Sequence, residues 1–136
     1  MNPAKPITAP RLLLTALLLA LSPFSWAISP QTEQEIQHLL TYIAAADCEF
    51  ERNGDTKSPA QAHAHIELKY GNTRKYISST EDFIKYAASE SSWTGRPYKV
   101  RCNGVEQTTS VWLNAELKRL RATEPAAALP AKPRTP

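Results

Sequence analysis

Apolar residues along the chain recur at two spacings, and the two spacings mark its elements. In residues 31–46, Ile36, Leu39, Leu40 and Ile43 fall at the three- and four-residue intervals of one helical face. Glu33 and Glu35 lie near the start of that stretch, where acidic groups suit the positive end of a helix dipole. A period of two follows: Cys48, Phe50 and Arg52 share one side of a predicted strand, which stops at the turn pair Asn53-Gly54. Ser58-Pro59-Ala60-Gln61 opens a second helix, with Ser58 as cap, Pro59 at the first helical position and Gln61 completing a capping box. Its inner face is ambiguous, because Ala62, His65, Ile66, Lys69 and Tyr70 form one stripe while Ala60, Ala64 and Leu68 form another. A helix apolar on two sides is expected to be sandwiched, and Gly71-Asn72 predicts its end or a kink.

A third, short helix is signalled by Ser79 or Thr80 as cap, Glu81 and Asp82 in the first turn, and Phe83, Ile84, Ala87 and Ala88 as the buried stripe. Residues 91–97, Ser-Ser-Trp-Thr-Gly-Arg-Pro, form a loop by composition. Tyr98, Val100 and Cys102 then share one face of a second strand, which ends at Asn103-Gly104. A last helix is expected over about residues 110–121, capped by Ser110, with Leu113, Leu117 and Leu120 inward. No internal repeat is visible. The expected fold is a small, mainly helical α+β domain of about four helices with a two-stranded antiparallel sheet, in the order α-β-α-α-β-α.

The two ends of the chain read differently from its middle. Lys5 and Arg11 give a positive start, Leu12 to Leu21 a short apolar run, and Ser25 and Ala27 the small residues of a signal-peptidase site. The run breaks at Ser22-Pro23, at roughly half the about 20 residues a membrane span requires. Residues 1–27 are therefore expected to be a signal peptide cleaved after Ala27, which predicts a periplasmic protein with no stable membrane anchor after cleavage. Residues 28–122 would form a single domain. Residues 123–136, rich in proline and alanine with Leu129 as the one large apolar group, are expected to be a disordered tail.

Removing the signal changes the charge. Of the formal +3, Lys5 and Arg11 leave with it, so the mature chain carries +1. Its short basic run, Lys118, Arg119 and Arg121, suits a helix C-terminus, so no nucleic-acid partner is expected. Export also bears on the two cysteines, Cys48 and Cys102, which are expected to pair as a structural disulfide. A redox-active thiol is disfavoured by the lack of a Cys-x-x-Cys pair.

Candidate chemistry is sparse. His63 and His65 are two apart, and on a helix such residues point about 200° apart, so no metal site and no cofactor is expected. His65 and Lys69 are four apart on one stripe, where burial and a neighbouring cation should favour neutral imidazole. Two readings follow: an anchor or base for an acidic ligand, or a histidine bonded to a loop carbonyl with the lysine reaching solvent. Ser91, Ser92 and Thr94 could serve a hydrolase only if activated by His65 and an acid such as Asp82 or Asp47, and neither a Gly-x-Ser-x-Gly nor a Ser-x-x-Lys motif is present. Trp93, with Arg96 and Tyr98 close by, either forms a recognition surface or folds back over a small core.

The runs at residues 50–54 (FERNG), 65–73 (HIELKYGNT), 80–84 (TEDFI) and 91–100 (SSWTGRPYKV) resemble a family of small exported proteobacterial proteins catalogued only as a domain of unknown function. The likeness spans roughly residues 33–121 and is strongest from Phe50 to Val100. It implies a Gram-negative periplasmic setting, includes His65, Lys69 and the loop from Ser91 to Tyr98, and leaves out His63 and the tail. Trp93 stands where relatives tend to carry a smaller side chain. Cys48 and Cys102 lie at the edges of the matched runs, in keeping with a shared structural disulfide. The expected function is a non-catalytic binding or accessory domain for an unidentified periplasmic protein or envelope ligand, with His65, Lys69, Ser91, Ser92, Trp93, Arg96 and Tyr98 as its binding residues and no catalytic residue assigned. The alternatives are an enzyme acting on an envelope component through His65 with Ser91 or Ser92, and an inhibitor or immunity protein of a secreted enzyme.

Overall fold

Two Asn-Gly pairs decide the sheet. The computed structural model describes residues 2–6, 8 and 28–124. The apolar run and cleavage point of the expected signal, and the tail beyond Glu124, lie outside these residues. Helix α1 (Pro30–Ala45) is followed by strands β1 (Glu49–Arg52) and β2 (Asp55–Lys57), then α2 (Pro59–Thr73). A 3-10 turn (Arg74–Tyr76) leads to α3 (Thr80–Ala87), after which come β3 (Lys99–Cys102), β4 (Val105–Thr108) and α4 (Thr109–Thr123). Arg52 pairs with Asp55 across Asn53-Gly54, and Cys102 pairs with Val105 across Asn103-Gly104. All four turn residues have positive φ, at 53° and 84° in the first turn and 50° and 77° in the second, which is the two-residue hairpin turn that follows the natural twist of paired strands.

The expected two-stranded sheet is thereby corrected. The sheet has four antiparallel strands in the order β2-β1-β3-β4, and the element order is α-β-β-α-α-β-β-α. Each Asn-Gly pair, read as the end of a strand, is the middle of a hairpin. The missed strands are the two edges of the sheet. Asp55-Thr56-Lys57 contains no large apolar group, and Val105, the one such group in β4, is exposed, so neither strand shows the alternation that marks a half-buried strand. The order is also a repeat that the residues do not show: α1-β1-β2-α2 is followed by α3-β3-β4-α4, and the inner strands of the two halves pair.

Pairing of β1 with β3 sets Phe50 opposite Val100 and Glu49 opposite Arg101. One step further along this register, Cys48 and Cys102 stand side by side with Cα atoms 4.6 Å apart, and they form the expected disulfide. Phe50 and Val100 are buried on the face covered by the helices. The opposite face carries cross-strand ion pairs, Lys99 with Glu106 and Arg101 with both Glu49 and Glu106, as alternation along half-covered strands requires.

The helix layer buries the stripes that periodicity predicts: Ile36, Leu39, Leu40 and Ile43 from α1, and Phe83, Ile84 and Ala87 from α3. Ser58 and Ser79 cap α2 and α3 through complete capping boxes, with Gln61 and Asp82 as the returning partners. Helix α2 buries Ala62, Ile66, Lys69 and Tyr70, whereas Ala60, Ala64 and Leu68 are exposed, so it is covered on one side rather than sandwiched. It also runs through Gly71 to Thr73. Helix α4 is capped by Thr108 two residues before the expected Ser110, and Trp112 and Glu116 join Leu113 and Leu117 in its buried stripe. Two carboxylates enter the interior with their cations. Glu35 accepts two hydrogen bonds from Arg121, at 2.8 and 2.9 Å, and one from Thr80, while Glu116 is held by Arg119 and His38. Arg121 thus ties α4 to α1, and through Glu81 to α3, instead of serving only the end of its own helix.

Candidate functional site

Helix α2 leaves two polar residues at the rim of its buried stripe, His65 and Lys69, one turn apart and facing the sheet. Arg52, at the end of β1 on the same side as Phe50, reaches His65, and Tyr98, one residue before β3, closes the group. Arg52 Nη1 lies 2.5 Å from His65 Nδ1, and His65 Nε2 lies 3.0 Å from the Tyr98 hydroxyl. Lys69 Nζ donates to the Glu90 carbonyl at 2.6 Å and to the Tyr98 hydroxyl at 3.3 Å, and stands 5.0 Å from the centre of the tyrosine ring.

The direction of these bonds follows from chemistry. Guanidinium has no acceptor, so Arg52 donates to His65 Nδ1 and the imidazole proton sits on Nε2, from where it is donated to Tyr98. Burial, and then the charges of Arg52, Lys69 and Lys57, push the His65 pKa below its ordinary value, in keeping with the neutral ring this arrangement requires. Lys69 is only 8% exposed, and burial lowers its pKa while Glu90 partly opposes that shift. Burial likewise raises the pKa of Tyr98, keeping the phenol protonated.

Two cavities flank this cluster, and Arg52, His65 and Tyr98 line both. One, of about 310 Å³, lies against the first half of α2 and is walled by Phe50, Ala62 and Ile66, with Lys57 at its side. The other, of about 440 Å³, opens towards the 89–97 loop, where Lys69, Ser91, Ser92 and Trp93 complete its wall.

The loop is held by its own hydrogen bonds. The buried Ser91 hydroxyl accepts from the Asn53 side chain at 3.2 Å and from the backbone N–H groups of Trp93 and Thr94 at 3.4 Å each. Thr94 donates to Asn53 Oδ1 at 2.7 Å, and the backbone closes through Ser91 N–H to Arg96 O and Gly95 N–H to Ser91 O. Gly95 takes φ 69°, the left-handed conformation glycine adopts without a Cβ penalty. Trp93, at the tip, is 97% exposed and does not fold back, and Arg96, three positions on in the same loop, is exposed as well.

The residues singled out from the sequence therefore separate into two groups. His65, Lys69 and Tyr98 meet in one hydrogen-bonded cluster, while Ser91 builds the loop that presents Ser92, Trp93 and Arg96. The histidine and the lysine exchange the roles that the simplest expectation gave them: the lysine, not the histidine, takes the loop carbonyl and is the more buried of the two. Both ring nitrogens of His65 are engaged by Arg52 and Tyr98, and Ser91 is engaged by Asn53, so the serine–histidine contact of a hydrolase is not formed. His63 points elsewhere, 4.0 Å from Glu67. Arg52, Lys57 and Asn53 were not among the expected site residues. The signal for Arg52 was present, since an arginine on the same strand face as Phe50 is directed inward.

Among the described residues, no group of three or more histidine, cysteine, aspartate or glutamate side chains is placed to hold a metal ion. No helix among them is long and apolar enough to cross a membrane. Residues 30–121 match a family of unknown function, DUF5329. The chain belongs to this family. The match contains the whole α1-to-α4 domain apart from the last two residues of α4, and with it every residue of the cluster. The chain is also 44% identical, over 85 residues, to the uncharacterized protein YfeK of Salmonella typhimurium, a stretch covering 61% of this chain and 69% of that protein. No solved structure matches.

Proposed function

We propose that this member of the family is an exported, periplasmic, non-catalytic binding or accessory domain, whose contact surface is formed by the 91–98 loop and the α2 rim around His65 and Lys69. The observation that carries this reading is Trp93: a tryptophan 97% exposed at the tip of a loop fixed by hydrogen bonds from Asn53 and its own backbone. Exposed indole surface is unfavourable in water and is regained on contact, which is why tryptophan and arginine dominate the energetics of interfaces. A loop already held in one shape also loses little entropy when it docks. The proposed address rests on the positive start, short apolar run and small residues of the first 27 positions.

The test is crosslinking followed by capture from a periplasmic extract, comparing the native protein with the W93A/R96A double variant. The reading predicts a partner that is captured by the native protein and lost by the double variant, with the melting temperature of the two unchanged, since neither side chain packs into the core. Equal capture by both proteins, or recovery of the protein in the cytoplasmic fraction, would overturn it.

A further inference from the structure

Cations elsewhere in the fold show what is unusual about the cavity beside α2. Arg74, Lys99, Arg101, Arg119 and Arg121 each have a carboxylate within 4.0 Å. Lys5, Lys75, Lys85, Arg96 and Lys118 have none but are exposed to water, whereas Arg52 and Lys57, half-buried, and Lys69, buried, have none among the described residues and are shielded from solvent. Glu90, whose charge is felt by Lys69 and Tyr98, lies beyond ion-pair distance, and Glu51, which also borders the cavity, alternates with Phe50 and Arg52 towards the outer face and acts on Arg101 there. The fold thus neutralises Glu35 and Glu116 in its interior while leaving Arg52 and Lys57 in the wall of this cavity, and Lys69 behind Tyr98 in the neighbouring one, without a carboxylate at ion-pair distance.

The hydrogen bonds carry the same asymmetry. Tyr98 is 5% exposed, and its oxygen accepts from His65 Nε2–H and from Lys69. Both lone pairs are occupied, and the phenolic proton has no acceptor among the described residues. A buried donor without an acceptor is costly, so the group is complete only when something else supplies one. Arg52, for its part, spends one N–H on His65, and its remaining donors have no protein partner among the described residues. Among the lining groups, Arg52, Lys57 and the Tyr98 hydroxyl have donors to spare, Gln61 and Thr109 add neutral polar groups, and Phe50, Ala62 and Ile66 supply apolar surface.

We propose that the cavity of about 310 Å³ binds an oxyanion, a carboxylate or phosphate ester, carried on a small apolar body. Arg52 and the Tyr98 hydroxyl hold the oxyanion, Lys57 and Lys69 supply the surrounding positive field, and Phe50, Ala62 and Ile66 receive the apolar part. Neutral His65 positions the first two, accepting from Arg52 and donating to Tyr98 so that the tyrosine proton is turned outward. The volume is at the small end of ligand sites, which limits the apolar part to a few carbons. This deepens the binding reading above by naming a ligand class, and it uses the cavity away from Trp93.

The test is calorimetric titration of the purified protein with hexanoate and hexyl phosphate, set against hexanol, hexylammonium and inorganic phosphate. One or both amphiphilic anions should bind at least tenfold more tightly than hexanol and inorganic phosphate, and hexylammonium should not bind; the order of the two anions tells which oxyanion is preferred. R52Q and Y98F should each weaken the preferred anion at least tenfold, and Y98F, which keeps the ring, provides the comparison if R52Q does not fold. Failure of both anions to bind, hexanol or inorganic phosphate binding as well as the preferred anion, or an unaltered affinity in Y98F would each overturn the proposal. W93A/R96A should retain anion binding, so loss of the partner-capture reading and loss of this one are separate results.

Discussion

At the scale of single residues, His65 is the group whose environment departs most usefully from water. Its folded pKa lies below the ordinary histidine value of about 6.5, through burial first and then Arg52, Lys69 and Lys57. Above about pH 6.5 the ring is neutral in both folded and unfolded chains, and its contribution to stability is fully present. As the pH falls below that value, the unfolded chain takes up a proton that the folded one refuses, and stability declines until the folded pKa is passed. Urea unfolding from about pH 7.5 to about 5 should show this decline, and the His65→Asn variant should flatten it. A His65 imidazole signal titrating at or above the ordinary value in the native protein would contradict the Arg52-to-His65 bond. Burial and Lys69 were enough to read the direction of this shift from the helical stripe, but the strongest charged contact, Arg52, is 13 positions away in the chain. Proximity of that kind is decided by packing and leaves no trace in local spacing.

At the scale of elements, caps and turns carry their own tests. Gly104 sits at φ 77° in the second hairpin turn with nothing near a prospective Cβ, so Gly104→Ala meets only the backbone penalty of the left-handed region. It should cost about 1 kcal/mol, or about 5 °C in Tm. Gly71, inside α2 and equally uncrowded, lies outside that region, and Gly71→Ala should stabilise by about 0.5–1 kcal/mol, since alanine loses less entropy in a helix. Opposite signs from two Gly→Ala changes in thermal unfolding would establish that α2 passes through Gly71 and that the hairpin turns through Gly104. The helices were legible because each carries its information locally, in Ser58-Pro59-Ala60-Gln61 or in the stripe of Phe83 and Ile84. The outer strands were not. Residues 55–57 and 105–108 form strands because a neighbour offers a ladder, and only the Asn-Gly pairs announced them.

At the scale of the whole molecule, the disulfide and the sheet depend on one another. Cys48 and Cys102, 54 positions apart, flank the pairing of β1 with β3, the joint between the two αββα halves. On the chain-entropy view, closing this loop stabilises the fold by about 4 kcal/mol, against a total of about 5–15 kcal/mol expected for such a domain. The C48S/C102S variant should therefore show a large fall in urea midpoint, and native protein should lose a similar amount on reduction. A change below about 1 kcal/mol would mean that the β1–β3 register and the helix layer hold the halves together without it.

What the chain determined by itself is whatever is written within a few residues: the four helices, the caps of α2 and α3, the two inner strands, the buried stripes of α1 and α3, and the two cysteines as a pair. The tertiary structure alone decided that Asp55–Lys57 and Val105–Thr108 are strands, that Arg121 reaches Glu35, and that Arg52, His65, Lys69 and Tyr98 meet around one cavity. The physical reason is the range of the interactions. Helical periodicity and capping act over three or four residues and must appear in the sequence, whereas an edge strand or a cluster of cations is defined by what lies across from it.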